Sequence, residues 1–239
     1  AEQWQRATDE EYESLQKQLT WELTKLPPGR RAIGCRWVYK RKFNRDGSVA
    51  RYKARLVAKG FSQREGIDYQ EVFAPVVKFT SIRVLLALAA EMDWELEQLD
   101  VDTAFLYAPV DEEIYMQQPE GFQELDESGE SLVCRLLKSL YGLKQSPRNW
   151  NHHLHEWLVE HGWVQSQADP GVYVHTVKDG TTDSSSSRVE QYILVLYVDD
   201  IIVGGPKLQF IEQLKTSIKE TFKIKDLGAV SWCLGMEVS

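Results

Sequence analysis

The sequence predicts an α+β fold: a mainly antiparallel sheet with helices packed on one face, ferredoxin-like in its order. Three observations carry this. From Ser81 onward the apolar pattern reads helix, strand, helix, strands, helix, strand. Near the start, Cys35, Trp37 and Tyr39 alternate with Arg36, Val38 and Lys40, and "NRDGS" turns the chain into a second strand, a β-hairpin. Near the end, "LVLYVDDIIVGG" (194–205) is two apolar strand segments interrupted by Asp199 and Asp200.

The elements follow in order. Thr8 to Leu26 is predicted as a helix, because Thr8 and Glu11 have capping-box spacing and Tyr12, Leu15 and Leu19 recur on one face; Pro27-Pro28-Gly29 ends it. The hairpin strands run from Ile33 to Phe43 and from Val49 to Gly60, with Lys53, Arg55 and Lys59 on one face. Ser81 to Met92 is an apolar helix, and Glu95 to Val101 a strand leading into "LDVD", with Asp100 and Asp102. An acidic, turn-rich stretch, Pro109 to Ser131, encloses a short strand at Ile114 to Gln118, and Val133 to Leu137 is another strand. Ser146 as N-cap and Pro147 at the first helical position begin a helix that Gly162 stops. Strands follow at Val172 to Val177 and Gln191 to Tyr197, joined by the low-complexity "KDGTTDSSSSR", predicted as a mobile loop. Leu208 to Phe222 is an amphipathic helix, and "VSWCLGMEVS" a last strand.

The 239 residues, 43% hydrophobic and 27% charged, suffice for one large domain or two small lobes. No apolar run approaches the roughly 20 residues that span a bilayer, and the acidic start does not read as a secretory signal. Three scattered cysteines offer no zinc spacing and fit a reducing compartment. The net charge of −8 argues against a polyanionic partner, yet between Arg30 and Arg64 Asp46 is the only acid among many lysines and arginines. A local basic segment matters more to a polyanion than the total.

Adjacent carboxylates in an apolar run are costly unless something pairs with them. On a regular strand they point to opposite faces, so Asp199 and Asp200 converge only at a tight hairpin turn. A divalent cation would relieve their repulsion; Mg²⁺ takes one or two carboxylates plus substrate phosphates. Asp100, ending another strand, is the natural third acid of a two-metal site with ions about 3.5–4 Å apart. The plain alternative for an Asp-Asp pair is a turn or a helix cap. His152 and Glu156 have metal-binding i, i+4 spacing, but with no second ligand pair they read as a solvated helix face.

Five blocks in one order, "RYKARLVAKGFSQREGIDY" (51–69), "LDVDTAFL" (99–106), "LYGLKQSPRNW" (140–150), "YVDD" (197–200) and "CLGMEV" (233–238), resemble the reverse transcriptase of Ty1/copia-type LTR retrotransposon Pol polyproteins across almost the whole chain. The resemblance implies a right-hand polymerase: fingers at 1–75 and 107–145, palm at 76–106 and 146–239, with the thumb, RNase H and integrase portions outside this chain. It implies that Asp100 and Asp199 hold two Mg²⁺ ions (Mn²⁺ a possible substitute), with Asp200 the third acid and Val101 contributing its carbonyl. Phe105 matches the aromatic that stacks under the incoming sugar and excludes a ribose 2′-OH; the alternative is a core aromatic. Tyr141 and Gly142 match the segment beside the incoming nucleotide, where a missing Cβ permits close approach. Lys53 and Arg55, joined by Lys40 and Lys42, match the triphosphate grip; the alternative is a solvated sheet face. Cys233, Leu234, Gly235 and Met236 match the strand steadying the primer 3′ end, and Lys225 resembles the lysine proposed to protonate the leaving pyrophosphate.

The resemblance thus implies an RNA-directed and DNA-directed DNA polymerase with template, primer and dNTPs as partners, working in the cytoplasm within virus-like particles. This chain departs from the family pattern at Asp102, where Lys is frequent, at Tyr107-Ala108, where Asn-Gly is usual, and at Cys233, where an aromatic is common. Alternatives are a domesticated, catalytically inactive relative that binds nucleic acid or protein, and a metal-dependent nuclease.

Overall fold

The computed structural model describes residues 2–44, 46–178 and 189–238. The elements begin α1 (Glu2–Lys17), β1 (Trp21–Thr24), β2 (Cys35–Phe43), β3 (Val49–Ala58), α2 (Phe79–Met92), β4 (Glu95–Val101), β5 (Tyr115–Gln117) and β6 (Val133–Leu136). They continue with α3 (Ser146–Glu160), β7 (Val164–Gln165), β8 (Val172–Lys178), β9 (Val189–Tyr197), β10 (Asp200–Gly205), α4 (Leu208–Thr221), β11 (Ile224–Ala229), β12 (Trp232–Cys233) and β13 (Met236–Glu237). Short 3-10 turns occupy Gly60–Ser62 and Ala104–Tyr107. The chain divides into two compact units, Ala1–Phe73 with Phe105–Trp150, and Ala74–Ala104 with Asn151–Ser239. The α+β class with antiparallel pairing throughout its sheets matches the sequence expectation.

In the first unit, β2 and β3 form the expected hairpin, and β1, β6 and β5 form a three-stranded sheet. Trp4 of α1 meets the rings of Tyr39 and Tyr52 edge-on at 5.2 and 4.5 Å, so α1 covers one face of the hairpin. Leu15, Trp21, Leu56, Ile114, Met116 and Leu136 build the core beneath. The helix expected from Thr8 to Leu26 is displaced. Thr8 lies inside α1, not at its cap, and its hydroxyl donates to the Trp4 carbonyl at 2.9 Å. The helix stops where Leu19 turns left-handed (φ 51°). Beyond it Trp21 is buried and Glu22 exposed, a period of two that pairs with β6 rather than continuing a helix. Ser146 is likewise not the cap. The Asn149 N–H donates to the Gln145 carbonyl, which puts the cap at Gln145, while the buried Ser146 hydroxyl donates to the Leu140 carbonyl at 2.7 Å.

The second unit is a six-stranded antiparallel sheet in the order β11-β4-β10-β9-β8-β7. Its helices do not share one face. A Cβ on Gly204 would meet Leu85 of α2, whereas one on Gly205 would meet Tyr192, whose ring stacks on Phe210 of α4 at 3.9 Å. Successive strand residues face opposite ways, so α2 and α4 lie on opposite sides. The residue 151–160 part of α3 joins α4, through Trp157 against Phe222 and Thr221. The reason is legible in β10: Ile201, Ile202 and Val203 are all buried, and a strand apolar on both faces needs cover on both. The expected final strand is a two-stranded hairpin, β12 and β13, turned by Leu234 (φ 45°) and Gly235 (φ 85°). The expected loop at 179–188 lies outside the described residues.

Candidate active site

β4, β10 and β11 lie side by side, and their register brings the acids together. Asp200 pairs with Asp100 across β10–β4, and Lys225 pairs with Asp100 across β11–β4. The Val101 N–H donates to the Asp199 carbonyl at 3.0 Å, tying the turn to the end of β4. Tyr197 pairs with Asp200, so Val198 and Asp199 form a two-residue hairpin turn, with Val198 at φ 59°. The tight turn that the adjacent aspartates required is therefore present, and Asp100, Asp199 and Asp200 meet at one end of the sheet.

The proximity has electrostatic consequences. Burial raises the Asp200 pKa, and the charges of Asp199 and Asp100 raise it further, against a hydrogen bond from the Gln98 side chain. Lys225 places Nζ 3.1 Å from Asp100 Oδ2 and also pairs with Asp102. Its pKa is raised chiefly by the Asp102 contact, burial opposing. Asp102 thus serves as a second anchor for Lys225. Gln98 lies two residues before Asp100 on the same strand, so alternation marks it as a further neighbour of the acids beyond the residues that the resemblance implies.

A metal fits the chemistry of these donors: three carboxylates supply hard oxygens, and mutual repulsion is what a cation relieves. Among the described residues no three His, Cys, Asp or Glu side chains stand as a ready-made cage. Lys225 supplies the counter-charge to Asp100 in this arrangement. His152 and Glu156 pair at 3.3 Å on an exposed helix face.

In the first unit, Lys40 sits opposite Lys53, Lys42 opposite Arg51, and Val38 opposite Arg55, on the hairpin face away from Tyr39 and Tyr52. Like charges directly opposite on a ladder destabilise it, and a bound polyanion would reverse that. Arg55 lies over the Tyr141 ring at 5.2 Å, and Phe105, half-buried, meets Tyr141 at 4.8 Å. Gly142 (φ 93°) has an internal reason for lacking a side chain: a Cβ would stand 2.1 Å from the Ala58 carbonyl oxygen and 2.7 Å from Val57 Cγ1. The adjacent Tyr141 carbonyl accepts from the Ala58 N–H at 2.7 Å. Gln63 strengthens the same seam, accepting from the Lys144 N–H at 2.8 Å and donating to Gln145 Oε1 at 2.9 Å. These contacts join the "RYKARLVAKGFSQ" and "LYGLKQ" blocks, a link that spacing could not disclose.

Cys233 is buried among Ile82, Val195 and Ile202, close enough to Asp200 for that charge, after burial, to raise its thiol pKa. Leu234 and Gly235 form the turn, Met236 packs against the same cluster, and the exposed aromatic is the neighbouring Trp232.

Residues 18–239 match the family described as reverse transcriptase (RNA-dependent DNA polymerase), and the chain belongs to that family. Over 99% of its length it is 45% identical to the Retrovirus-related Pol polyprotein from transposon TNT 1-94 of Nicotiana tabacum, and 41% identical to that from transposon RE1 of Arabidopsis thaliana. It is 30% identical over 95% of its length to the Transposon Ty1-NL2 Gag-Pol polyprotein of Saccharomyces cerevisiae. The resemblance to Pol polyproteins of Ty1/copia-type transposons thus extends over nearly the whole chain. The chain spans 17%, 15% and 12% of these relatives.

Proposed function

We propose that this chain is the fingers and palm of an RNA-directed and DNA-directed DNA polymerase that adds dNTPs to a primer 3′-OH during retrotransposon replication. The convergence of Asp100, Asp199 and Asp200 at adjoining strand ends is the observation that carries this proposal. The second unit would be the palm and the first the fingers.

Asp100, Asp199 and Asp200, with the Val101 carbonyl, would hold two Mg²⁺ ions, or Mn²⁺ in their place. Bound there, the ions would acidify the primer hydroxyl and offset charge on the departing pyrophosphate. The remaining work belongs to the chain. Lys40, Lys42, Lys53 and Arg55 grip the triphosphate, and Phe105 packs under the sugar, with Tyr141 behind it. Lys225 donates a proton to the leaving pyrophosphate. Cys233 to Met236 support the primer end from a buried base. Catalysis is then mainly alignment and charge stabilisation. Base pairing selects the nucleotide and the protein grips backbone, so sequence preference stays slight, and the phosphate contacts make template binding weaken steeply with salt. Action within cytoplasmic virus-like particles rests on the family resemblance alone.

A primer-extension gel with RNA and DNA templates tests the proposal. A lengthened primer supports it, an unchanged primer indicates an inactive binding relative, and a shortened one a nuclease. Asp199→Asn should abolish extension with Mg²⁺ and leave the circular dichroism spectrum intact; full activity in that variant refutes the assignment.

A further inference from the structure

Behind the acids, on the other face of the sheet, lies a second cluster of charge. Lys215 of α4 has a side chain only 3% exposed, with Nζ 2.6 Å from Glu97 Oε2, 2.8 Å from Glu212 Oε1 and 2.9 Å from Asp226 Oδ1. Glu97 belongs to β4 and Asp226 to β11, so one ammonium joins a helix to two strands. Burying an ammonium is costly unless its partners are well placed. Burial alone would lower its pKa, but the three carboxylates outweigh it and raise the pKa.

The location of the cluster gives it consequence. Glu97 lies three residues before Asp100, and Asp226 follows Lys225. By strand alternation, Glu97 and Asp226 point away from the face that carries Asp100 and Lys225. The β11–β4 ladder also slips between Asp226 and Gly228, and Asp226 Oδ1 accepts the Gly228 N–H at 3.1 Å. A bulge breaks the pairing that would otherwise fix the strand. Lys215 clamps β11 at that point.

We infer that Lys215 is a positioning residue: from behind the sheet it locks the bulged strand β11 onto β4 and thereby holds Lys225 against Asp100 and Asp102. The inference rests on the polymerase reading for its effect on activity, but its structural part can be measured separately. The Glu97 and Asp226 carboxylates give Lys215 its leverage. Arginine keeps the charge and methionine keeps the stem without it.

Two measurements on the whole chain decide it. Hydrogen exchange is followed at the amides of Ile224 to Ala229 and at Asp102, whose N–H donates to the Lys223 carbonyl at 2.9 Å. Lys215→Met should lose protection there by tenfold or more while β9 keeps its own, and Lys215→Arg should retain most of it. Primer extension is then run as a double-mutant cycle with Lys225→Ala. Lys215→Met should lower kcat at least tenfold with KM for dNTP little changed, and less than twofold further in the Lys225→Ala background. Equal losses in both backgrounds, or unaltered exchange in β11, overturn the inference. If the parent chain extends no primer, the polymerase reading fails, and the exchange result still decides whether Lys215 holds β11. Should Lys215→Met not fold, Lys215→Met with Glu97→Gln and Asp226→Asn removes the two strand carboxylates left unpaired, Glu212 being half-exposed to water, and the same two readouts apply.

Discussion

If the acids serve a cation and not the fold, removing one charge should stabilise the metal-free chain. Asp200→Asn is the perturbation. Asp200 stands directly opposite Asp100 in the ladder and next to Asp199, and burial together with those two charges disfavours its ionised form. Like charges opposed on a strand pair cost roughly 0.2–1 kcal/mol. Asp199 adds a second repulsion, and Lys225 beside Asp100 offsets part of the first. The site is partly exposed, so screening holds the net effect to about 1 kcal/mol. Asparagine retains an oxygen to accept from Gln98. Urea denaturation at pH 7 in EDTA should show Asp200→Asn more stable by about 1 kcal/mol, and a thermal melt should rise by roughly 2–4 °C in a chain of this size. The gap should narrow in 1 M salt, where the Debye length is about 3 Å. Mg²⁺ should stabilise the parent more than the variant, since ligand binding adds about 2.7 kcal/mol at a hundred times Kd. A variant less stable than the parent in EDTA, or a gap indifferent to salt, refutes the reasoning.

Phe105→Val should admit ribonucleotides, measured by extension with NTPs; unchanged sugar selection removes Phe105 from the proposed role. Gly142→Ala should destabilise by about 2–5 kcal/mol, combining left-handed strain of about 1–2 with overpacking of about 1–3; a melt within 2 °C of the parent would contradict the close approach to Ala58. Asp169 accepts from the Ser81 hydroxyl and from the Lys78 and Gly171 N–H groups. Burial alone would raise its pKa, but these bonds and the Lys78 charge outweigh burial and lower it. Its stabilisation is therefore present above the unfolded value near 4 and lost as pH falls through the lower folded value. Melts from pH 6 to pH 3 should show Asp169→Ala losing about 1 kcal/mol at the top of that range, with the gap narrowing as the pH falls below 4; a gap that widens toward acid contradicts the assignment.

Local pattern disclosed most strands, because alternation and turn residues act over a few positions. Glu95–Val101 has the bounds that the sequence predicts, and "NRDGS" marks the hairpin after Ile33. What depended on distant partners was not legible. Trp21–Thr24 reads locally as the end of a helix, and only its pairing with Val133–Leu136 makes it a strand. β11 is not legible locally, since Lys225, Asp226 and Gly228 carry little apolar signal; it is held instead by its β4 register and by Lys215. The acids are legible from residue type and strand-end position, and Gln98 from its alternation with Asp100, whereas the Lys225–Asp102 pair and the Gln63–Gln145 seam emerge only in the fold.

The energetic balance at the turn explains why this sheet can carry the acids. A β-branched residue at positive φ, where glycine is usual, makes Val198 a strained position costing about 1–3 kcal/mol. The repulsion around Asp200 adds about 1 kcal/mol. Against these stand Ile201, Ile202 and Val203, each 3% exposed or less, and each contributing about 1.5–3 kcal/mol on burial. Two of those side chains match the whole local penalty. The apolar run that made the aspartates look misplaced is therefore what keeps them in place. It anchors β10 between helices on both faces, so that strain and like charge at the tip do not unzip the strand. A polar β10 would leave the same aspartates on a turn free to separate.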